Sequence, residues 1–327
     1  DNDCDCTALS VRAILPSAQQ DAQLQEQLPV VPSNDNQDVN NDQPTFTEIT
    51  SEGHSLTVNW EIANHTLTSI SAYRSWDNQG IVDLDDRPTN PLLLTYVSPP
   101  ENNQDQFSQE IRLASSGRDW GSYVLGAYYF DQDADSGNLT STDFIIPATR
   151  LTQTQVDSEN MALFGELNYK LTKDLELTVG ARYTKDDLKY RTIASGDGGV
   201  IFGPEGDVAN STSESDLSPK VALQWSINDA AMTFVSYTSG YKGPAFDTGV
   251  VAAGTVVEPE TSDAWEWGLK SSWLDNRLFL NVAVFFSEYT DFQAQSLFDP
   301  DPDDMLPGSF LLLNAGEVST QGVEAEF

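Results

Sequence analysis

The chain has 327 residues, 51 acidic against 16 basic, for a formal net charge of −35 with both histidines neutral, and 39% of its residues are hydrophobic. This balance excludes a nucleic-acid binder, which neutralises phosphates with clustered Lys and Arg, and argues against a peripheral protein held to anionic lipid. No apolar run approaches the roughly 20 residues that cross a bilayer as a helix, and no charged-then-apolar leader opens at Asp1, so composition alone describes a soluble acidic globule.

Chain order changes that description. Residues 1–45 are polar, rich in Asn, Gln and Asp and broken by Pro16, Pro29, Pro32 and Pro44, and read as a loop without a helical or strand period. From Phe46 onward, segments rich in Val, Leu, Thr, Tyr, Trp and Phe alternate apolar with polar residues. The alternation predicts about eleven strands, near 46–62, 66–76, 106–116, 120–131, 155–171, 175–193, 215–227, 231–242, 262–274, 278–297 and 311–327. In the clearest, Leu175, Leu177, Val179, Ala181 and Tyr183 share one face, with Glu176, Thr178, Gly180, Arg182 and Thr184 on the other.

The predicted connections alternate between short and long. Short ones fall at Asn64-His65, Ser116–Asp119, Thr172–Asp174, Asn228-Asp229 and Asp275–Arg277; long ones cover about 77–105, 132–154, 194–214, 243–261 and 298–310. A sandwich has no reason to gather every tight turn at one end, whereas a transmembrane barrel has short periplasmic turns and long extracellular loops. Charge divides the same way. Segments 1–45, 77–105, 131–154, 194–216, 243–261 and 298–310 hold 30 of the 51 acids and only Arg12, Arg87 and Arg150, which makes −27, while the other 21 acids and 13 bases make −8. The expected fold is therefore all-β, an antiparallel transmembrane β-barrel in which every backbone N–H and C=O is bonded without water. Tyr73, Trp76, Tyr128, Tyr129, Tyr169, Tyr183, Trp225, Tyr237, Tyr241, Trp267, Trp273 and Tyr289 lie toward strand ends as often as in the middle, which suits interfacial girdles, ordinary sheet aromatics being the plain alternative.

Several stretches resemble TonB-dependent outer-membrane receptors: Phe107–Ser115 with Gly126–Phe130, Ala162–Tyr169 with Leu177–Tyr183, Ser218-Pro219-Lys220 leading to Tyr237–Gly243, Glu258–Thr261 with Glu266–Lys270, and Asn314-Ala315-Gly316 with Gln321–Glu326. The similarity covers most of 46–327 in the family's order, with Pro244 a departure where the family usually has a small residue. The resemblance implies a 22-stranded barrel, of which about eleven strands are half, around a plug domain that carries the TonB-contacting box. Neither plug nor box is read in this chain, so 46–327 is expected to be a partial barrel from a longer protein, incomplete at both ends.

Candidate chemistry is sparse. Cys4 and Cys6 are one residue apart, leaving a strained local disulfide or partners elsewhere both open, and their spacing to His54 and His65 does not suit zinc. Asp131, Asp133 and Asp135, followed by Gly137, approximate a calcium loop in an extracellular connection, although Thr142 stands where a bidentate Glu belongs; a solvated acidic loop is the alternative, as it is for Asp299–Asp304. No catalytic motif for hydrolysis, metal-assisted chemistry or nucleotide binding is present, so no enzyme and no further cofactor is expected. Trp76, Tyr96, Phe202, Tyr241, Phe246, Phe292 and Phe298 sit near loop bases and are candidates to stack on a ligand.

The expected function is that of an outer-membrane receptor of a Gram-negative bacterium that captures a scarce extracellular small molecule, an iron chelate, vitamin or carbohydrate. Periplasmic TonB would drive import through the plug. Loops at −27 repel an anion within a Debye length of about 8 Å, which favours a neutral or cationic ligand. A passive porin-like or structural outer-membrane barrel is the alternative, and a secreted β-rich adhesin a more distant one.

Overall fold

Alternating β-branched, aromatic and hydroxyl side chains build an almost purely β structure, in a computed structural model that describes residues 2–4, 30, 33, 35, 36, 38, 40, 45–83, 95–142, 148–197, 205–249, 253–275, 277–298 and 309–327. Within these ranges the side chains of 2–4, 82, 83, 95–101, 142, 298 and 309 are not described. The strands are β1 (Asn2–Cys4), β2 (Phe46–Ile62), β3 (His65–Asp83), β4 (Thr95–Ser115), β5 (Gly121–Thr142), β6 (Ala148–Lys170), β7 (Leu175–Gly196) and β8 (Gly206–Asn228). They continue with β9 (Ala231–Lys242), β10 (Ala245–Phe246), β11 (Val256–Val257), β12 (Glu260–Trp273), β13 (Leu278–Thr290), β14 (Gln293–Phe298), β15 (Ser309–Asn314) and β16 (Val318–Glu326). Twelve of them form one sheet in the order β1-β2-β3-β4-β5-β6-β7-β8-β9-β12-β13-β16, and β10–β11 and β14–β15 pair separately. Every pairing is antiparallel. Among the described residues no helix is long and apolar enough to cross a membrane.

The eleven expected strands correspond to β2–β9, β12, β13 and β16, with three corrections. First, β3, β4, β5, β6 and β8 run 19 to 23 residues, seven to eleven past the expected ends, whereas β7 runs only three past its expected end. Only about 9–11 residues cross a bilayer as a tilted strand. Beyond that height both faces meet water, so hydrophobic alternation fades while backbone pairing continues through Asp- and Ser-rich sequence. Second, 278–297 breaks at Asp291 and 311–327 breaks at Gly316, both with positive φ (54° and 84°), which frees β14 and β15 to pair with each other. Third, the first and fourth tight turns shift by one residue, to Ala63-Asn64 and Asp229-Ala230, fixed by the register pairs Ile62–His65 and Asn228–Ala231.

Prolines shape the ladders by removing donors. The β4–β5 register is interrupted between Val97 and Asn103, around Pro99 and Pro100. The β8–β9 ladder runs from Lys220 to Asn228 and stops at Pro219, which keeps its partner Ala181 on β7. Above Pro219 a seam opens between β8 and β9.

One face of the sheet is apolar and exposed. Tyr169, Leu177, Leu223, Val235, Trp267, Val284 and Val323 form a continuous register row across β6, β7, β8, β9, β12, β13 and β16. All but the half-buried Leu177 are exposed. Trp265 and Trp273 stand eight positions apart on this face of β12, about 27 Å of strand at ~3.4 Å per residue, which suits the apolar band of a tilted membrane strand. Toward the short turns the face carries Trp120 packed with Tyr123 (6.4 Å between ring centroids) and Tyr169 (6.3 Å). Toward the long connections tyrosine hydroxyls donate to carboxylates just beyond the band: Tyr73 to Asp105 (2.5 Å), Tyr129 to Asp131 (3.3 Å) and Tyr237 to Asp263 (2.5 Å). An apolar ring with its hydroxyl held at the wet edge is the arrangement of an interfacial girdle.

Candidate functional site

The opposite face is polar, and a recess of about 610 Å³ in it spans β6 to β9 at the height of Tyr183, the top of the apolar band. Glu166, Gly180 and Lys220 share one register row across β6, β7 and β8. Because Gly180 has no side chain, Lys220 Nζ reaches across it to Glu166 Oε2 at 2.9 Å. One step higher, the Arg182 guanidinium lies 5.6 Å from the Tyr128 ring centroid and 5.7 Å from that of Phe164, and its Nε donates to Thr184 Oγ1 at 3.1 Å. Asp186 is buried and accepts from Asn160 Nδ2 at 2.5 Å. Two carboxylates and two cations thus line the recess, a balance that suits a polar ligand of mixed charge, beneath walls whose outer connections are strongly acidic.

The seam above Pro219 supplies the far side of the recess through Ser218, Ser239, Gly240, Tyr241 and Gly243. Beyond Gly243 the chain folds onto the polar face. Phe246 is buried against Tyr190, ring centroids 5.3 Å apart, and Asn210 Nδ2 donates to the Gly254 carbonyl at 2.9 Å.

Of the aromatic residues expected near a ligand, Tyr241 lines the recess and Phe246 lies in the adjoining buried contact. Trp76 stands on β3 in register with Ser51 and Gln104, with five strands between it and β9. Phe292 packs edge-on against Tyr289 at 6.0 Å. The backbones of Tyr96 and Phe298 belong to β4 and β14, but their side chains, and all of Phe202, lie outside the described residues, as do the Cys4 side chain and Cys6. The charged residues of the recess, Glu166, Arg182, Asp186 and Lys220, do not stand out as ligand contacts in the sequence, although the alternation of β7 places Arg182 on the polar face.

The calcium loop expected at Asp131, Asp133 and Asp135 is corrected. These residues lie in mid-β5 at alternate positions, so their carboxylates are spread along one face rather than wrapped around a point. Asp133 stands in register with Asp105 and Asp157, yet among the described residues no group of three or more Asp, Glu, His or Cys side chains is arranged to hold a metal ion.

A family model described as "TonB dependent receptor-like, beta-barrel" matches residues 13–327. The chain belongs to this family. The ferric-pyoverdine M114 receptor PbuA of Pseudomonas sp. (strain M114) is 28% identical over 160 residues, 48% of this chain and 17% of PbuA. The ferric yersiniabactin uptake receptor FyuA of Yersinia pestis shares its fold at TM-score 0.69 and 18% identity, over 87% of this chain and 40% of FyuA. The pyoverdine outer membrane receptor FpvA of Pseudomonas aeruginosa PAO1 does so at TM-score 0.58 and 17% identity, over 90% of this chain and 44% of FpvA. This TonB-dependent receptor-like chain therefore spans less than half the length of each of these relatives.

Proposed function

We propose that this chain forms barrel wall in an outer-membrane receptor of a Gram-negative bacterium that imports a ferric chelate, energised by TonB acting on a plug domain. The observation that carries the reading is the two-faced sheet. A continuous apolar row faces one way, while a charge-balanced recess of about 610 Å³ opens on the other face at the outer edge of the band. A closed barrel built this way presents the row to lipid and the recess to its lumen. The class of ligand follows relatives named for ferric pyoverdine and ferric yersiniabactin. The acidic outer connections disfavour a bare anion, and Arg182 with Lys220 offers anionic groups a local counter-charge.

The test is uptake of radioactive iron by Gram-negative cells that lack their own siderophore receptors and carry the full-length gene. With ferric pyoverdine, ferric yersiniabactin and a ferric catecholate supplied separately, at least one should enter saturably and stop when TonB is deleted. Uptake that continues undiminished without TonB would replace this reading with a passive barrel.

A further inference from the structure

The apolar face is not uniform along its short-turn edge. Four rings from three strands gather at one corner of it: His65 opens β3, Trp120 and Tyr123 flank the start of β5, and Tyr169 lies near the end of β6. Trp120 stacks on Tyr123 with ring planes 14° apart and packs against Tyr169 on its other side. The Tyr123 ring lies 5.9 Å from that of His65, and its hydroxyl is 2.8 Å from His65 Nε2. Elsewhere among the described residues, ring contacts are isolated pairs. Backbone bonds hold the cluster in place: the Trp120 carbonyl accepts the Lys170 N–H at 2.8 Å, and Ser115 Oγ accepts the Tyr123 N–H at 2.8 Å. Trp120 and Tyr169 nevertheless remain 36% and 43% exposed, so part of each ring is open to the surroundings.

Register adds a cation to this corner. Arg118 pairs with Gly121 across the turn, each N–H donating to the other's carbonyl (2.8 and 3.0 Å), and Gly121 pairs on its far side with Tyr169. Arg118, Gly121 and Tyr169 thus form one row on the face that carries the rings, bare at its middle position. That position must stay bare: Gly121 has φ 140°, and a Cβ there would collide with the Asn168 carbonyl. Arg118 is exposed and makes no ion pair among the described residues, although Asp119 follows it in the turn. We propose that this corner binds the headgroup of a zwitterionic phospholipid, its ammonium over the rings of Trp120 and Tyr169 and its phosphate on Arg118. Ring faces attract an ammonium, and a guanidinium forks onto phosphate oxygens. The turns flanking Tyr169 also carry Asp119 and Asp174, which repel a headgroup that is only anionic. Position selects lipid over a free solute, since exposed Leu167 and Leu171 stand two residues to either side of Tyr169 on the same face, where acyl chains lie. Such a site serves any cargo, because it asks only that the sheet stand in a bilayer.

Native mass spectrometry of the full-length receptor tests the site. The protein is released from detergent micelles doped with equal amounts of phosphatidylethanolamine and phosphatidylglycerol of matched acyl chains, at a collision energy that leaves one lipid bound. That lipid should be phosphatidylethanolamine at least threefold more often than phosphatidylglycerol. Trp120→Leu keeps apolar bulk but removes the ring face, and Arg118→Gln changes an exposed turn residue; each should cut retention of phosphatidylethanolamine at least threefold. The proposal is overturned if the two lipids are retained equally, or if either variant holds as much phosphatidylethanolamine as the wild type. Should Trp120→Leu fail to fold, judged by heat-modifiable migration on a gel, Tyr169→Leu takes its place under the same criterion.

Discussion

Lys220 and Glu166 stand on strands that do not touch, and their side chains meet over the bare α-carbon of Gly180, Nζ to Oε2 at 2.9 Å. A Cβ at Gly180 would lie 3.5 Å from Glu166 Cγ and 3.3 Å from the Gly165 carbonyl, so a branched side chain there wedges the two apart. Gly180→Val should raise the acetylation rate of Lys220 several-fold, read by mass spectrometry, and Glu166→Gln should do the same. Because the partners are 44% and 33% exposed, losing the pair should change stability by less than about 1 kcal/mol.

A second bare position is filled rather than bridged. The Phe234 ring lies over Gly268, its register partner on β12, and Lys270 Nζ sits 5.9 Å from that ring's centroid. A Cβ at Gly268 would fall 2.2 to 3.0 Å from three ring carbons, and Phe164 over Gly126 repeats the arrangement. Gly268→Ala should destabilise by about 1–3 kcal/mol through overpacking. The penalty should shrink when combined with Phe234→Leu, since the two sites share one contact. Gly117→Ala, with nothing within 4 Å of its Cβ, is the control, expected within about 0.5 kcal/mol. Urea titration of the receptor folded into liposomes reads all four.

The same titration locates the lipid. Leu167 is 39% exposed in mid-band, in register with Tyr123 and Val179, whereas Leu139 shares the outward face of β5 ten positions beyond Tyr129. Leu167→Arg should destabilise by about 2–4 kcal/mol and Leu139→Arg by about 0–1 kcal/mol, following the depth dependence of a charge on the lipid face. Equal effects would place the membrane elsewhere.

At the far end of β7, Asp197 accepts the Thr149 N–H at 2.7 Å and its hydroxyl at 3.1 Å, and these bonds, the backbone one foremost, hold its carboxyl below the usual carboxylate range. A carboxyl lowered on folding contributes fully above its unfolded value, about 3.9, and that contribution is lost as pH falls through the folded one. Protection of the Thr149 amide, taken relative to Thr154 within the ladder, should hold steady down to about pH 4 and decline below it. Asp197→Asn should remove that decline.

The strand-forming segments, the alternation of tight and long connections and the two-faced character of β7 were legible in the order of residues, because side chains alternate across a strand whatever it pairs with. The polar half of the tall strands β3 to β6 and β8 was not, since above the lipid neither face needs an apolar residue and only backbone pairing marks the strand. Asp131, Asp133 and Asp135 read as a loop for that reason, and register alone set Asp133 opposite Asp105 and Asp157. The recess depended on the same kind of information. Glu166 and Lys220 are 54 residues apart, and nothing in their local sequence announces a glycine between them on a third strand. The net charge of −35 was fixed by composition; where those charges stand relative to lipid and recess was decided by register, which tertiary pairing sets and local sequence does not.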